Sequence, residues 1–181
     1  MEEGLIRRIV EQALEQHGQR ENAKTGKAQV LTGAGRPEMG LTLEIAKRLM
    51  AQVEQKAAQM GFPAVVAVVD KSARPIAVHC MDDAYIASFD IALHKAYTSA
   101  SLKMSTAALG SLSAPGQPLY GIQNTNDGKI VIFGGGETLE WGGRIVGAIG
   151  VSGGSLEQDT ALAVYGKEIF TQLSCGTGKQ Q

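Results

Sequence analysis

Aromatic residues are scarce in this chain, making up 5% of its 181 positions, and tryptophan occurs once, at Trp141. With so little aromatic bulk and 23 glycines, backbones must approach closely somewhere, in tight turns, at subunit contacts or around a ligand lying on the main chain. Cysteine is nearly absent. Cys80 and Cys175 lie far apart and build neither a disulfide framework nor a C-x-x-C metal motif, which suits a reducing, cytoplasmic setting. An excess of charge is missing too: the formal net charge is −1, which argues against a basic nucleic-acid binder and against an acidic disordered tail. Long apolar runs are lacking. The longest, "FPAVVAVV" at 62–69, is far too short to cross a bilayer, and the N-terminus shows no charged-then-apolar leader pattern. Neither nucleic acid nor membrane is expected as a partner.

What is present is enough apolar material, 44%, for one packed body with appendages. Residues 1–18 read as an amphipathic helix: Leu5, Ile6, Ile9, Val10, Ala13 and Leu14 fall on one face, with Glu2 and Glu3 at its start and His17 and Gly18 at its end. Residues 19–40 read as a flexible linker with a root-mean-square span of about 25–30 Å. Residues 41–173 form the globular part, and 174–181 a polar tail. Thr42 is the expected N-cap of a helix whose apolar face is Ala46, Leu49, Met50, Val53, Ala57 and Met60, stopped by Gly61. Strands are expected at 64–69 and 76–80 around the turn "DKSARP", at 130–133, and at 138–141 and 144–151 around Gly142-Gly143. Ser155 and Gln158 make a capping box for a last helix running to Leu173. The fold class is therefore α+β, an antiparallel sheet of about five strands with helices packed on it.

The stretch 84–103, "AYIASFDIALHKAYTSASLK", is expected to be helical, with Ile86, Phe89, Leu93, Ala96 and Ala100 as its core stripe, and to be followed by a loop before the last three strands. Its other side carries Ala87, Ile91, His94, Thr98 and Leu102, with Lys95 at the edge. An apolar strip bearing an imidazole, a hydroxyl and an ammonium is expected to wall a pocket or a subunit interface. The alternative is an ordinary exposed face with one apolar residue on it.

The segments "DIALHKAYTSASL", "APGQPLYGI", "IVIFGGGETL" and "IVGAIGVSGGSLEQD" resemble, in order and spacing, the GlcG/HbpS/PduO C-terminal family of haem-binding-like proteins, over about residues 41–170. The resemblance implies a profilin-like fold, a homo-oligomer and haem as cofactor. It places Lys95 and Thr98 on the motif helix and Tyr120, Gly134, Gly135, Gly136, Ser152 and Gly153 on the matching loops. The turn "DKSARP" departs from the family's glycine-rich turn. The adenosyltransferase domain of full-length PduO proteins is not in this sequence, so that activity is not implied.

Given a haem, His94 is the first candidate for the iron, since neutral imidazole is its commonest ligand. Lys95 and Thr98 are candidates for a propionate or another carboxylate or phosphate. His79 is read as structural, His17 as a solvated helix-end cation. Glu137 and Glu140 form an E-x-x-E that can catch iron or simply sit exposed beside a hairpin, and no second histidine stands near them. Gly150–Gly154 ahead of the Ser155-capped helix offers backbone N–H groups to an anion. Nucleotide motifs fail: Glu38 stands where a third glycine should follow Gly33 and Gly35, and "GTGK" lacks the distal glycine of a phosphate loop. No catalytic triad is visible, and the balance leans away from an enzyme. An enzyme or binding protein for a small carboxylated or phosphorylated metabolite, and a structural oligomer with a vestigial pocket, are the alternatives.

The helix at 1–18 resembles the encapsulation peptides of bacterial microcompartment cargo. Its stripe, docked on an apolar groove, gains very roughly 5–8 kcal/mol gross, much of it cancelled by ordering. The expectation is a shell-protein partner and a microcompartment lumen. An oligomer clasp and a membrane-surface helix are the competing readings.

Overall fold

A computed structural model describes residues 40–176. The expected helix at 1–18, the linker up to residue 39 and the tail from 177 lie outside the described residues.

The first helix, α1 (Leu43–Gln59), starts where its cap predicts: the Thr42 hydroxyl oxygen accepts from the Ile45 amide at 3.2 Å. Its predicted apolar face is the buried one. Strands β1 (Val65–Asp70) and β2 (Pro75–Cys80) follow as an antiparallel hairpin. The turn between them is organised by the Asp70 carboxylate, which accepts from the Ser72 and Arg74 amides at 2.8 and 3.0 Å and from the Arg74 guanidinium. Helix α2 (Ser88–Leu102) leads into a short α3 (Thr106–Ser113). Strands β3 (Gly136–Trp141) and β4 (Arg144–Ser152) form the second hairpin, and α4 (Leu156–Gly176) closes the fold. Gly142 and Gly143, with φ of +57° and +71°, make the tight turn that the sequence announces.

The sheet order is β2-β1-β4-β3, antiparallel throughout. Alternation along β1 explains the layers. Val66 and Val68 join α1 and α4 residues in the larger core, with Leu139, Ile149, Leu162 and Phe170. Val65, Ala67 and Val69 point the other way, onto Ala92, Ala96 and Ala100 of α2. The central strand is therefore covered on both sides, which is why its sequence is a continuous apolar run.

Three expectations need correction. The sheet has four strands among the described residues, not about five: residues 130–133 carry no regular structure and join no strand, and Val131 donates its amide to the Thr98 hydroxyl of α2 rather than to a neighbouring strand. Helix α3 was expected to be loop; it is eight residues long, contains Gly110, and is capped by Ser105, whose hydroxyl accepts from the Ala108 amide at 3.2 Å. The last helix continues to Gly176, beyond Leu173.

The core stripe of α2 also differs. Ile86 and Phe89 are exposed, Leu93 is half-buried, and the buried face runs through Ser88, Ala92, Lys95, Ala96, Ser99 and Ala100. Packing distance decides this. At Gly150 of β4, a Cβ would run into the Ala92 carbonyl and come within 2.6 Å of the Ala96 amide nitrogen. Helix and strand meet backbone to backbone, so only small residues fit between them, and the bulky ones are turned outward.

Candidate functional site

Lys95 is the largest fully buried side chain of the described residues, and its position organises one end of the sheet. From α2 its ammonium donates to the Val151 carbonyl of β4 at 2.8 Å and to Asp159 Oδ2 of α4 at 2.7 Å. The other carboxylate oxygen of Asp159 accepts from the Gly154 amide at 2.9 Å. One ion pair thus ties together both helical layers and the β4–α4 loop. Burial pulls the Lys95 pKa down from its ordinary value, and the hydrogen bond and charge of Asp159 pull it back only in part. Gly135 makes room for this knot. Its φ is +110°, and a Cβ there would lie 2.6 Å from the Lys95 nitrogen. The Phe133 ring covers the ammonium, with the nitrogen 5.0 Å from the ring centroid.

Directly beside the knot lies a cleft of about 360 Å³ between the start of α2 and the start of α4. Tyr85, Ile91, Phe133 and Leu156 form apolar walls; Ser88, Ser152 and Gly153 form its polar end, where the Ser152 hydroxyl donates to Ser88 at 3.1 Å. Tyr85, Phe133 and Leu156 are all exposed, as are Ile86 and Phe89 next to them in sequence. In a chain this poor in aromatics, leaving several of them in water marks the surface as one that meets something apolar.

The sequence-derived candidates divide. Ser152 and Gly153 line the cleft. Gly134 lines a second hollow on the far side of Phe133 and Leu156, and Gly135 and Gly136 are buried behind it. Lys95 is spent on Asp159 and Val151, and Thr98 is buried with its hydroxyl between the Lys129 carbonyl and the Val131 amide. Neither is open to an external anion. His94 is half-buried on α2, one turn beyond Ile91, and is not among the residues lining the cleft. Tyr120 is exposed on the loop after α3, also away from the cleft. The backbone N–H groups ahead of α4 are largely satisfied internally. Gly154 donates to Asp159, and Ser155 and Gln158 close the expected capping box at 2.8 and 3.3 Å. Glu137 and Glu140 both face Lys167, at 3.4 and 3.8 Å, and no cluster that could hold a bare metal ion occurs among the described residues. His79 meets Glu54 of α1 at 2.6 Å, a structural contact. The apolar stripe Leu5, Ile6, Ile9, Val10 and Leu14 lies outside the described residues.

Ala87 and Ile91 of the strip expected to wall a pocket do line the cleft; Tyr85, Phe133 and Leu156 beside them, and Asp159 as the partner of Lys95, are what sequence reasoning missed. Phe133 read as a strand residue, and Asp159 lies 64 positions from Lys95. The available sign was the rarity of aromatics, which makes "DDAYIASFD" an unusual place to find two.

Comparisons with known proteins give the family and the fold. An uncharacterised 15.0 kDa protein from the dhaT–dhaS intergenic region of Citrobacter freundii is 43% identical over 133 residues, 74% of this chain and 94% of its own. The crystal structure of the Klebsiella pneumoniae protein ORFY superposes with a TM-score of 0.71 at 39% identity, covering 78% of this chain and 97% of that one. That of a PduOC–haem complex superposes with a TM-score of 0.69 at 34% identity, covering 71% and 94%. The model of the family described as haem degrading protein HbpS-like matches residues 41–168, the whole of the sheet and α4 up to Glu168, and the chain belongs to that HbpS-like family.

Proposed function

We propose that this protein binds haem, holding the porphyrin against the cleft between α2 and the start of α4, and that it does so as a homo-oligomer. The carrying observation is the open wall of Tyr85, Ile91, Phe133 and Leu156, joined outward by Ile86 and Phe89. A flat, mostly apolar macrocycle suits such a wall, and Ser88 and Ser152 supply hydroxyls at its polar end. On α2 and the residues leading into it, two side chains of the type that holds haem iron have no hydrogen-bond partner among the described residues: the Tyr85 phenol at the cleft and the His94 imidazole further along the helix. Membership of the HbpS-like family and the haem complex of the PduOC relative support the same reading. Bound haem would supply redox or cofactor-handling chemistry; this chain's own residues orient it and shield one face from water. The alternative ligand, a small carboxylated or phosphorylated metabolite held by Lys95 and Thr98, is disfavoured because both groups are buried and already bonded.

Titration of the purified protein with haemin tests the reading. A Soret shift that saturates near one haem per site is expected, weakened in His94→Ala or in Tyr85→Phe. Spectra unchanged in both variants reject both residues as ligands, and the lack of any saturable shift rejects haem binding itself.

The proposal extends to location. Residues 1–18 act as an encapsulation peptide whose stripe of Leu5, Ile6, Ile9, Val10 and Leu14 grips a shell protein, so that the module works in a microcompartment lumen. Its support is the amphipathic spacing, the polar tether and the resemblance to cargo peptides. No helix among the described residues is long and apolar enough to cross a membrane. Deleting residues 1–18 should abolish co-localisation with shell protein; unchanged co-localisation rejects this part of the proposal.

A further inference from the structure

A second cleft lies at the other end of the sheet. It occupies about 470 Å³ beside the β3–β4 turn and is lined by Gly40, Lys71, Trp141, Gly142, Arg144, Ile145 and Val146. Its apolar lining is Trp141, Ile145 and Val146. Trp141, the one tryptophan of the chain, is half-buried with its indole N–H turned toward the Ser174 carbonyl at 3.5 Å. Ile145 and Val146 continue the surface, and the backbone at Gly40 lies close against Trp141, where a Cβ would sit 3.1 Å from the Trp141 Cβ.

Its charge is one-sided. Lys71 and Arg144 are exposed and both line the cleft, and no carboxylate is among the lining residues. The acids next to them in sequence or register are committed elsewhere. Asp70 is engaged by Arg74 and by the Ser72 amide, with Arg74 also in an ion pair at 2.8 Å, and Glu140 faces Lys167 at 3.8 Å. Neither Lys71 nor Arg144 has an ion-pair partner among the described residues. Two uncompensated cations beside a half-buried indole match a ligand that is flat and apolar in body and anionic at one edge. Arginine binds carboxylate or phosphate through paired N–H groups, and the ring face holds the body.

We propose that this cleft is a binding site for a small planar organic anion bearing a carboxylate or a phosphate, separate from the cleft between α2 and α4. The site does not depend on the haem reading. Because Trp141 is the sole tryptophan, its emission reports occupancy directly.

The test is fluorescence titration of the full-length protein, excited at the red edge of the tryptophan band, with benzoate, phenyl phosphate, benzamide and inorganic phosphate. Benzoate or phenyl phosphate should change Trp141 emission saturably, and which of the two is tighter identifies the anionic group. Benzamide, with the body and no charge, and inorganic phosphate, with charge and no body, should each bind at least about tenfold more weakly, the factor that one charge-assisted contact of ~1.4 kcal/mol supplies. Arg144→Gln and Lys71→Gln, both exposed and compatible with the fold, should each weaken the anion several-fold, and added salt should weaken it further. A response to benzamide equal to that of benzoate overturns the proposal. So does equal affinity for inorganic phosphate, an unchanged titration in both variants, or no saturable response to either organic anion.

Discussion

Replacing Lys95 by methionine tests the centre of the structure. The substitution keeps length and approximate volume but removes the charge, leaving the Asp159 carboxylate, itself buried, with the Gly154 amide as its remaining partner. Breaking a buried pair from one side costs about 3–5 kcal/mol, because the other charge stays behind in a poorly solvated place. For a domain of this size that corresponds to a fall in Tm of roughly 6–20 °C. The double variant Lys95→Met, Asp159→Asn should recover most of the loss. Its amide oxygen still accepts from Gly154, and no charge remains buried. Urea denaturation of wild type, both single variants and the double variant measures the coupling directly. The pH dependence has a fixed sign. In the unfolded chain Lys95 keeps its proton up to about its ordinary pKa of 10.5, whereas in the folded protein burial makes it lose the proton at lower pH. Between those two points the unfolded state binds more protons, so the contribution of Lys95 to stability rises with pH. The stability gap between wild type and Lys95→Met should therefore widen as pH climbs through that window. Single-variant losses below about 1 kcal/mol, or a gap that narrows with rising pH, would refute the reasoning.

Two further substitutions probe the packing. Gly150→Val should destabilise by more than about 3 kcal/mol and loosen α2 from the sheet, because its branched side chain has no space against the Ala92 carbonyl and the Ala96 amide; hydrogen exchange along α2 reads the loosening. Ser155→Ala should cost about 1 kcal/mol in chemical denaturation by removing the hydroxyl that accepts from the Gln158 amide at the start of α4, while leaving α1 protected.

Local chemistry was the legible part of the fold. Thr42, Gly61, Gly142-Gly143 and the Ser155–Gln158 box each announce an element boundary through contacts within a few residues, and the structure has each of them. Residues 130–133 and α2 show where local reading ends. The first has the composition of a strand, but its amide at Val131 is claimed by Thr98 from a distant helix. The second has an apolar stripe that periodicity assigns to the core, yet the space where the helix crosses the sheet is set by Gly150, 50 or more positions later, and is filled by Ala92 and Ala96. The cleft was half legible. Ser152 and Gly153, named through the family resemblance, lie along it, whereas Tyr85, Phe133 and Leu156 come together only when three separate segments fold against one another.

The close seating of α2 has an evolutionary consequence. Its interior contacts are made by alanines, serines, Thr98 and one lysine, and its bulk is turned to the other side, at the exposed Phe89 and the half-buried Ile91 and His94. Exchanges at the wholly outer positions leave the hidden scaffold untouched and change stability by only a few tenths of a kcal/mol. Selection can therefore rewrite what this helix offers to a visiting molecule while the framework behind it stays fixed, so descendants of one such ancestor can drift apart in taste without drifting apart in shape.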